Sequence, residues 1–196
     1  MAQSHRIRII GGVWRSRQIQ VLDQQDLRPS YDRVRETLFN WLGPDLSGLK
    51  AIDVFAGSGA LGFEAASRSV DEVVLIENDK RIYHQLLTQH QLLNSYPIRG
   101  EVKILHGDGI SYLQRADDQS AQLIFLDPPF SQPDLLVRAA QEAGRVCHDQ
   151  GRGGIYIECP NPFDLSRLEK VLPNWTLIKS METAQVKAVL FRRSSS

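Results

Sequence analysis

The sequence predicts an α/β fold: a doubly wound, mostly parallel sheet with helices on both faces, preceded by a small N-terminal extension. From residue 50 onward, short apolar segments alternate with amphipathic ones, as parallel strands alternate with crossover helices. The last two apolar segments have no helical segment between them, which predicts an antiparallel hairpin at one edge. A length of 196 residues and an apolar fraction of 42% suit one compact domain with a small appendage.

Residues 1–45 are predicted to form the extension, which begins with a basic β-hairpin. Residues 1–22 contain no acidic residue and four arginines, namely Arg6, Arg8, Arg15 and Arg17. Basic and apolar residues alternate around Gly11-Gly12, which favours a hairpin with one basic face over a solvated, partly disordered tail. Such a ribbon would follow the phosphate backbone of a nucleic acid.

A helix is predicted next, over PSYDRVRETLFNWL. Ser30 is its candidate N-cap, Asp32 lies in its first turn, and Gly43-Pro44 ends it. Its apolar stripe at helical spacing consists of Val34, Leu38, Trp41 and Leu42. Arg33 and Arg35 are predicted to lie partly on the other faces.

Residues 46–196 are predicted to form the main domain, in which every strand but the last is followed by a helix or a turn. The predicted strands are KAIDVF, EVVLIE, EVKIL, QLIFLD, GGIYIEC, WTLIKSMET and QVKAVLFRR. The predicted helices are ALGFEAASR, KRIYHQLLTQHQLLN, ISYLQRA, PDLLVRAAQEAGRVC and PFDLSRLEKVL. Because ligands bind at the carboxyl ends of the strands in such sheets, the residues that follow each strand are the candidate site.

The first strand is followed by the glycine pattern Gly57-x-Gly59-x-x-Gly62, which opens a helix. This context is typical of a nucleotide-type ligand, because glycines allow a tight turn and a close approach to the backbone. The pattern fits dinucleotides as well as other adenosine ligands, and a plain strand-to-helix turn is the structural alternative.

Acidic residues follow the second and third strands. Glu77 lies twenty positions after Gly57, where an acid would hydrogen-bond a ribose diol. Asp79 is more simply explained as a helix cap, and Asn78 fits either role. Asp108 could accept from an adenine amino group or cap the next helix, and the sequence favours neither.

The fourth strand ends in Asp127-Pro128-Pro129-Phe130. Two prolines make a rigid segment whose carbonyls can accept hydrogen bonds, because proline fixes φ and has no N–H. The first and fourth strands are neighbours in this architecture, so Asp127 is predicted to lie beside the glycine loop. A carboxylate, carbonyls and an aromatic ring at one place would suit a planar substrate with an amino group.

Together, DVFAGSGALGFEAASR, IEND, GD and DPPF resemble the motifs of class I S-adenosylmethionine-dependent methyltransferases. DPPF is similar to the signature of those members that methylate exocyclic or amide nitrogens. RIIGG, LRPSYDRVRETLFNWL and the chain length resemble the bacterial 16S ribosomal RNA guanine-N2 methyltransferases of the RsmD type, from about Arg6 to the end of the chain. The family commonly has Thr where this chain has Ser30.

The resemblance implies a Rossmann-like sheet of seven strands with an antiparallel last strand, and a catalytic domain over residues 46–196. It also implies S-adenosylmethionine as cofactor, with S-adenosylhomocysteine as product, and a guanine of 16S rRNA as acceptor, within the small ribosomal subunit or its assembly intermediate. By position, the cofactor site comprises Asp53, Phe55, Ala56, Gly57, Ser58, Gly59, Glu77, Asn78, Asp108, Gly109 and Asp127. The guanine-holding, catalytic residues are Asp127, Pro128, Pro129 and Phe130. The candidate RNA-binding residues are Arg6, Arg8, Arg15, Arg17, Arg28 and Arg33, and Arg28, Asp32 and Arg35 lie in a segment that family members fold near the methionine end of the cofactor.

Three other functions fit parts of the sequence. A nicotinamide-dependent oxidoreductase would use the glycine pattern but leave DPPF unexplained, and an RNA-binding assembly factor would not need DPPF. A DNA adenine or a protein amide is the alternative acceptor, although a net charge of zero is unusual for a protein that holds duplex DNA unaided.

Composition predicts a cytoplasmic protein without a metal, and nothing in the sequence demands more than a monomer. No apolar run approaches the ~20 residues of a membrane-spanning helix, and the N-terminus has no signal-peptide pattern. Cys147 and Cys159 lack metal-ligand spacing and are predicted to be buried thiols.

Overall fold

The computed structural model describes residues 5–21, 29–148 and 151–194, and in these ranges the chain forms nine strands and six helices. The strands are β1 (His5–Arg8), β2 (Gln18–Val21), β3 (Lys50–Asp53), β4 (Glu72–Glu77), β5 (Glu101–His106), β6 (Leu123–Leu126), β7 (Gly154–Pro160), β8 (Trp175–Glu182) and β9 (Val186–Arg193). The helices are α1 (Pro29–Leu42), α2 (Ala60–Ser67), α3 (Lys80–Leu93), α4 (Gly109–Arg115), α5 (Pro133–Val146) and α6 (Ser166–Val171).

Seven strands form one sheet in the order β5-β4-β3-β6-β7-β9-β8, which confirms the predicted sheet. Strands β3 to β7 run parallel, and β9 is antiparallel to both of its neighbours, β7 and β8. A tight turn joins β8 to β9, with the N–H of Thr183 donating to the carbonyl of Val186 at 2.8 Å. The last strand is therefore inserted beside β7, and β8 forms the edge of the sheet.

Alternate side chains of the strands enter two hydrophobic clusters, one on each face of the sheet. Ala51 and Phe125 belong to the cluster that includes α1, α2 and α3. Ile52 and Ile124 belong to the cluster that includes α4, α5 and α6. This distribution confirms the doubly wound architecture.

The strands β1 and β2 form a separate antiparallel hairpin, as predicted. Its apolar residues Ile9, Trp14 and Ile19 are buried in the first cluster, together with Val34 and Leu38 of α1. The hairpin and α1 thus share a core with the sheet, and a domain boundary near residue 45 stays a prediction.

Cys147 and Cys159 are buried thiols, as the composition predicts. In the described ranges, no helix combines the length and the apolar character needed to cross a bilayer.

Candidate active site

The candidate site lies where β3, β4 and β6 end side by side. Asp53 pairs in register with Leu75 of β4 and with Phe125 of β6, so Asp127 follows only two residues beyond that register position. The prediction that the strand of Asp127 neighbours the glycine-loop strand is therefore confirmed.

The three glycines of the loop differ in their surroundings. Gly57 and Gly59 have φ angles of 51° and 79°, in the left-handed region that favours glycine. A Cβ at Gly59 would lie 2.5 Å from the ring of Phe63, and one at Gly62 would lie 2.6 Å from Leu75 of β4. A Cβ at Gly57 would meet only the carbonyl of Phe55, at 3.9 Å. Gly59 and Gly62 thus serve packing, while the backbone at Gly57 is open to a ligand.

Glu77 connects the loop to the end of β4. One carboxylate oxygen accepts from the N–H of Gly57 at 2.9 Å, and the other accepts from the N–H of Asp79 at 2.7 Å. Because each carboxylate oxygen can accept a second hydrogen bond, this half-buried group holds the loop and retains capacity for a ribose diol. The arrangement fits an adenosine-type cofactor.

The neighbouring acids cap helices. Asp79 accepts from the N–H groups of Arg81 and Ile82 at the start of α3, as predicted. Asp108 accepts from the N–H of Ser111 at 2.7 Å at the start of α4, and hydrogen bonds from Ser111 lower the pKa of its carboxyl group. Of the two alternatives left open for Asp108, the structure shows the cap.

Asn78 follows β4 and Gly109 begins α4 after β5, so both lie at the same end of the sheet as the glycine loop. The carbonyl of Asn78 accepts from His106 Nε2 at 3.1 Å, which ties the end of β4 to the end of β5. A Cβ at Gly109 would collide with the carbonyl of Val54, so only glycine allows α4 to begin this close to the loop.

Asp53 lies beneath the loop and is only 1% exposed. Its carboxylate accepts from the N–H of Gly62 at 2.9 Å. Burial raises the pKa of Asp53 to about 7; that hydrogen bond opposes the rise, and the charges of Glu77 and Glu158 add to it. Its observed contact is therefore with the glycine loop, and a direct contact with a cofactor stays a prediction.

The DPPF segment forms a turn at the end of β6. Pro128 is buried, Pro129 is exposed, and Asp127 and Phe130 are half-buried. The carbonyl of Pro129 accepts from the N–H of Gln132 at 3.0 Å, so this carbonyl already serves the turn. A narrow crevice runs along the segment, lined by Pro128, Pro129, Phe130, Gln132, Pro133, Leu136, Glu158 and Pro160.

Glu158, on β7, is a candidate site residue that the sequence analysis missed. It is 3% exposed, and its Oε1 accepts from the hydroxyl of Tyr156 at 2.7 Å. Burial raises the pKa of Glu158 to about 7, although the Tyr156 hydrogen bond and the charge of Arg35 oppose the rise. The available indication was a charged residue inside an otherwise apolar strand, IYIEC, at the end of the fifth strand of the main domain.

Arg35 differs from its predicted position on an outer face of α1, because it is only 5% exposed. Its Nη2 donates to the carbonyl of Arg8 at 2.7 Å and to Asp32 at 3.0 Å. The docked hairpin therefore covers Arg35, and the guanidinium contributes a buried positive charge near Glu158.

The hairpin is anchored through its backbone, chiefly to α2. The carboxylate of Glu64 accepts from the N–H groups of Ile10 and Gly11 at 2.7 and 2.8 Å and pairs with Arg68 at 2.9 Å. Ser67 bonds to Trp14 N–H and to the carbonyl of Gly11.

With its backbone held in this way, the hairpin presents its arginines to solvent. The exposed candidates are Arg6, Arg8, Arg15, Arg17 and Arg33. The guanidinium of Arg17 lies 3.4 Å above the ring of Tyr96. Arg28 lies outside the described residues.

The chain is similar to known proteins of one family. The chain matches the family model described as Conserved hypothetical protein 95 over residues 7–192. Ribosomal RNA small subunit methyltransferase D of Escherichia coli (strain K12) is 36% identical over 200 residues, covering 98% of this chain and 92% of the relative. The protein of that name from Haemophilus influenzae is 37% identical over 190 residues, covering 95% and 93%.

A solved structure agrees with these sequence relatives. The Escherichia coli protein yhhF superposes with a TM-score of 0.80 at 34% identity, covering 98% of this chain and 100% of that chain. The chain therefore belongs to the family of Conserved hypothetical protein 95, the RsmD-type family that its motifs resemble, in which the relatives compared above are small-subunit ribosomal RNA methyltransferases.

Proposed function

We propose that this chain transfers a methyl group from S-adenosylmethionine to the exocyclic N2 amine of a guanine in 16S rRNA. The observation that carries the proposal is the position of Asp127-Pro128-Pro129-Phe130 at the end of β6, next to the glycine loop after β3. The names of the relatives from Escherichia coli and Haemophilus influenzae support small-subunit rRNA as the acceptor. We further propose that the chain acts as a monomer in the bacterial cytoplasm, on the small subunit or its assembly intermediate.

The cofactor is assigned to the loops after β3, β4 and β5. Bound there, S-adenosylmethionine would supply an electrophilic methyl group on a sulfonium sulfur. The backbone from Phe55 to Gly59 would line its path, and Glu77 would accept from its ribose hydroxyls. Asn78, Asp108 and Gly109 lie at the same end of the sheet and would surround its adenine.

The acceptor is assigned to the DPPF segment. The guanine amine is a weak nucleophile, because its lone pair is delocalised into the ring. Asp127 and the carbonyl of Pro128 would accept its two N–H groups, orient the amine and favour a pyramidal nitrogen. Phe130 would stack on the base after it leaves its place in the RNA, and Asp127 would take the proton that the methylated amine loses.

The RNA is assigned to the exposed arginines of the hairpin and of α1. Arg6, Arg8, Arg15, Arg17 and Arg33 would contact phosphates, and Arg28 is proposed for the same role from the sequence alone. Arg35 is excluded from direct phosphate contact by its burial and would act on the site from within.

The test is methyl transfer to ribosomal particles. Small-subunit particles from cells that lack this protein are incubated with it and with labelled S-adenosylmethionine, and the labelled nucleotide is mapped. We expect a single N2-methylguanosine in 16S rRNA. Label on adenine, on another guanine atom or on ribosomal protein would contradict the proposed acceptor, and particles isolated from wild-type cells serve as the saturated control.

A further inference from the structure

The carboxyl group of Glu158 is the feature that the proposed roles leave unexplained. Its Oε2 is buried and has no hydrogen-bond partner in the part of the chain that the structure describes. A buried polar atom without a partner costs free energy, so such atoms are rare in folded proteins. An orphaned carboxylate oxygen next to the proposed acceptor segment is explained if a ligand supplies the donor.

Glu158 lies beside the acceptor segment. Leu126 of β6 pairs in register with Ile157 of β7, so the next residues along the two strands are Asp127 and Glu158. Glu158 also lines the crevice formed by Pro128, Pro129 and Phe130. Glu158 and Asp127 are therefore neighbours at the segment to which the target base is assigned.

The orientation of this carboxyl group is fixed from one side. The hydroxyl of Tyr156 donates to Oε1, and burial raises the pKa of Tyr156, which keeps its hydroxyl protonated. Arg35 places a buried positive charge nearby, which opposes the rise in the pKa of Glu158 that burial causes. The carboxyl group is thus held in one orientation, and in its ionised form Oε2 is a hydrogen-bond acceptor that does not have to reorganise when a base arrives.

Guanine offers the matching donor. Its Watson–Crick edge carries the N1–H directly beside the N2 amine, whereas adenine has an acceptor nitrogen at its N1 position. Two adjacent acceptors can thus engage two adjacent donors on guanine, and a carboxylate would repel the N1 lone pair of adenine. We propose that Oε2 of Glu158 accepts the N1–H of the target guanine and thereby makes Glu158 a residue that selects guanine. This inference rests on the proposed function and deepens it.

The test compares Glu158→Gln and Glu158→Leu with Glu182→Gln, a control that makes the same chemical change on the exposed part of β8. Transfer to small-subunit particles is measured together with S-adenosylmethionine affinity and thermal stability. Glu158→Gln is expected to lower kcat/KM for the particle by about tenfold or more, because a charge-assisted hydrogen bond is removed. Glu158→Leu is expected to lower it further. Cofactor affinity should be unchanged in all three variants.

The outcomes separate this inference from the proposed function. If the wild-type protein labels anything other than a guanine N2, the proposed function fails, and this inference fails with it. If the wild-type protein labels guanine N2 but Glu158→Gln transfers at the wild-type rate, only this inference is overturned. A parallel loss of cofactor affinity and stability in Glu158→Gln would indicate a structural role and also overturn it. Glu158→Gln decides the question even if Glu158→Leu fails to fold.

Discussion

At the scale of single residues, the acids of the site differ in what already holds them. Glu77 and Asp108 accept backbone N–H groups of loops and helix ends, so they shape the cofactor side. Asp53 is buried under the glycine loop. On the acceptor side, Glu158 lines the crevice, and Asp127 follows β6 at the position next in register to it. Substitutions on the cofactor side should therefore change S-adenosylmethionine affinity, and substitutions on the acceptor side should change methyl transfer to particles.

Asp127→Ala is the substitution that tests the acceptor side. It removes the carboxylate proposed to orient the amine, so we expect transfer to particles to fall by about a hundredfold or more, since positioning contributes effects of this size. S-adenosylmethionine affinity, measured by calorimetry, should change little. Near-normal turnover would contradict the role of Asp127, and a large loss of cofactor affinity would move that role to the cofactor side.

Gly59→Ala tests the packing of the glycine loop. The substitution places a Cβ 2.5 Å from the ring of Phe63, at a φ of 79° that L residues rarely adopt. We expect the free energy of unfolding in urea to fall by about 2 to 4 kcal/mol, from strain and overpacking together. Gly43→Ala is the matched control, because Gly43 has a φ of 97° but open space around it, and only about 1 kcal/mol of backbone strain is expected there. Equal losses of stability in the two variants would show that the collision with Phe63 is relieved.

At the scale of elements, the hairpin is both a surface and a part of the core. Ile9, Trp14 and Ile19 are buried, while the arginines between and beside them are exposed. Deleting residues 1–22 would therefore expose the core as well as remove charge. Substitution of the exposed arginines separates the two effects.

The combined substitution of Arg6, Arg8, Arg15 and Arg17 by Ala tests the RNA-binding proposal for the hairpin. Affinity for 16S rRNA should fall, and its dependence on salt should become shallower by roughly 0.7 to 0.9 in log–log slope for each phosphate that is no longer neutralised. Cofactor affinity should not change. Lys170→Ala combined with Lys179→Ala removes exposed charge from α6 and β8 and should leave both affinities unchanged. An unchanged salt slope in the arginine variant would rule out the hairpin as a phosphate-binding surface.

At the scale of the whole molecule, patterns along the sequence predict those features of the fold that depend on interactions between nearby residues. Alternation of apolar and amphipathic segments predicts the layers of the sheet, and the capping role of Asp79 follows from its place before α3. Other features depend on contacts between distant segments. The burial of Arg35 results from docking of the hairpin, 27 residues earlier, and the hydrogen bond of Glu77 to Gly57 joins residues 20 apart. Contacts of this kind leave no periodic pattern in the sequence. The position of the site could therefore be predicted from the sequence, but the role of Glu158 could not.

The dependence of the free energy of unfolding on pH is the sum of contributions from buried titratable groups across the whole molecule. Burial raises the pKa of Asp53 from 3.8 and that of Glu158 from 4.5, each to about 7. Between these values the folded state binds more protons than the unfolded state, so the free energy of unfolding should fall as pH rises from about 4 to about 7 and then level off. His90 acts in the opposite direction near its ordinary pKa of 6.5, because burial lowers its pKa and a fall in pH then favours unfolding. The contributions of the buried acids and of His90 overlap in pH. The informative quantity is therefore the difference in the free energy of unfolding between a variant and the wild-type protein.

Asp53→Asn isolates one of these acids, since His90 contributes equally to the wild-type and variant proteins. We expect the loss of stability between pH 5 and pH 8, measured by urea unfolding, to be smaller for the variant by at most about 3 kcal/mol. Asp53 titrates over about two pH units of this interval, and one pKa unit corresponds to about 1.4 kcal/mol. Asp45→Asn is a control with the opposite shift: hydrogen bonds from Ser47 lower the pKa of Asp45, so its titration lies below this range and the slope should be unaffected. An unchanged slope in Asp53→Asn would mean that this carboxyl group is ionised in the folded protein throughout. In that case the hydrogen bond from the N–H of Gly62 would offset the effect of burial on this carboxyl group.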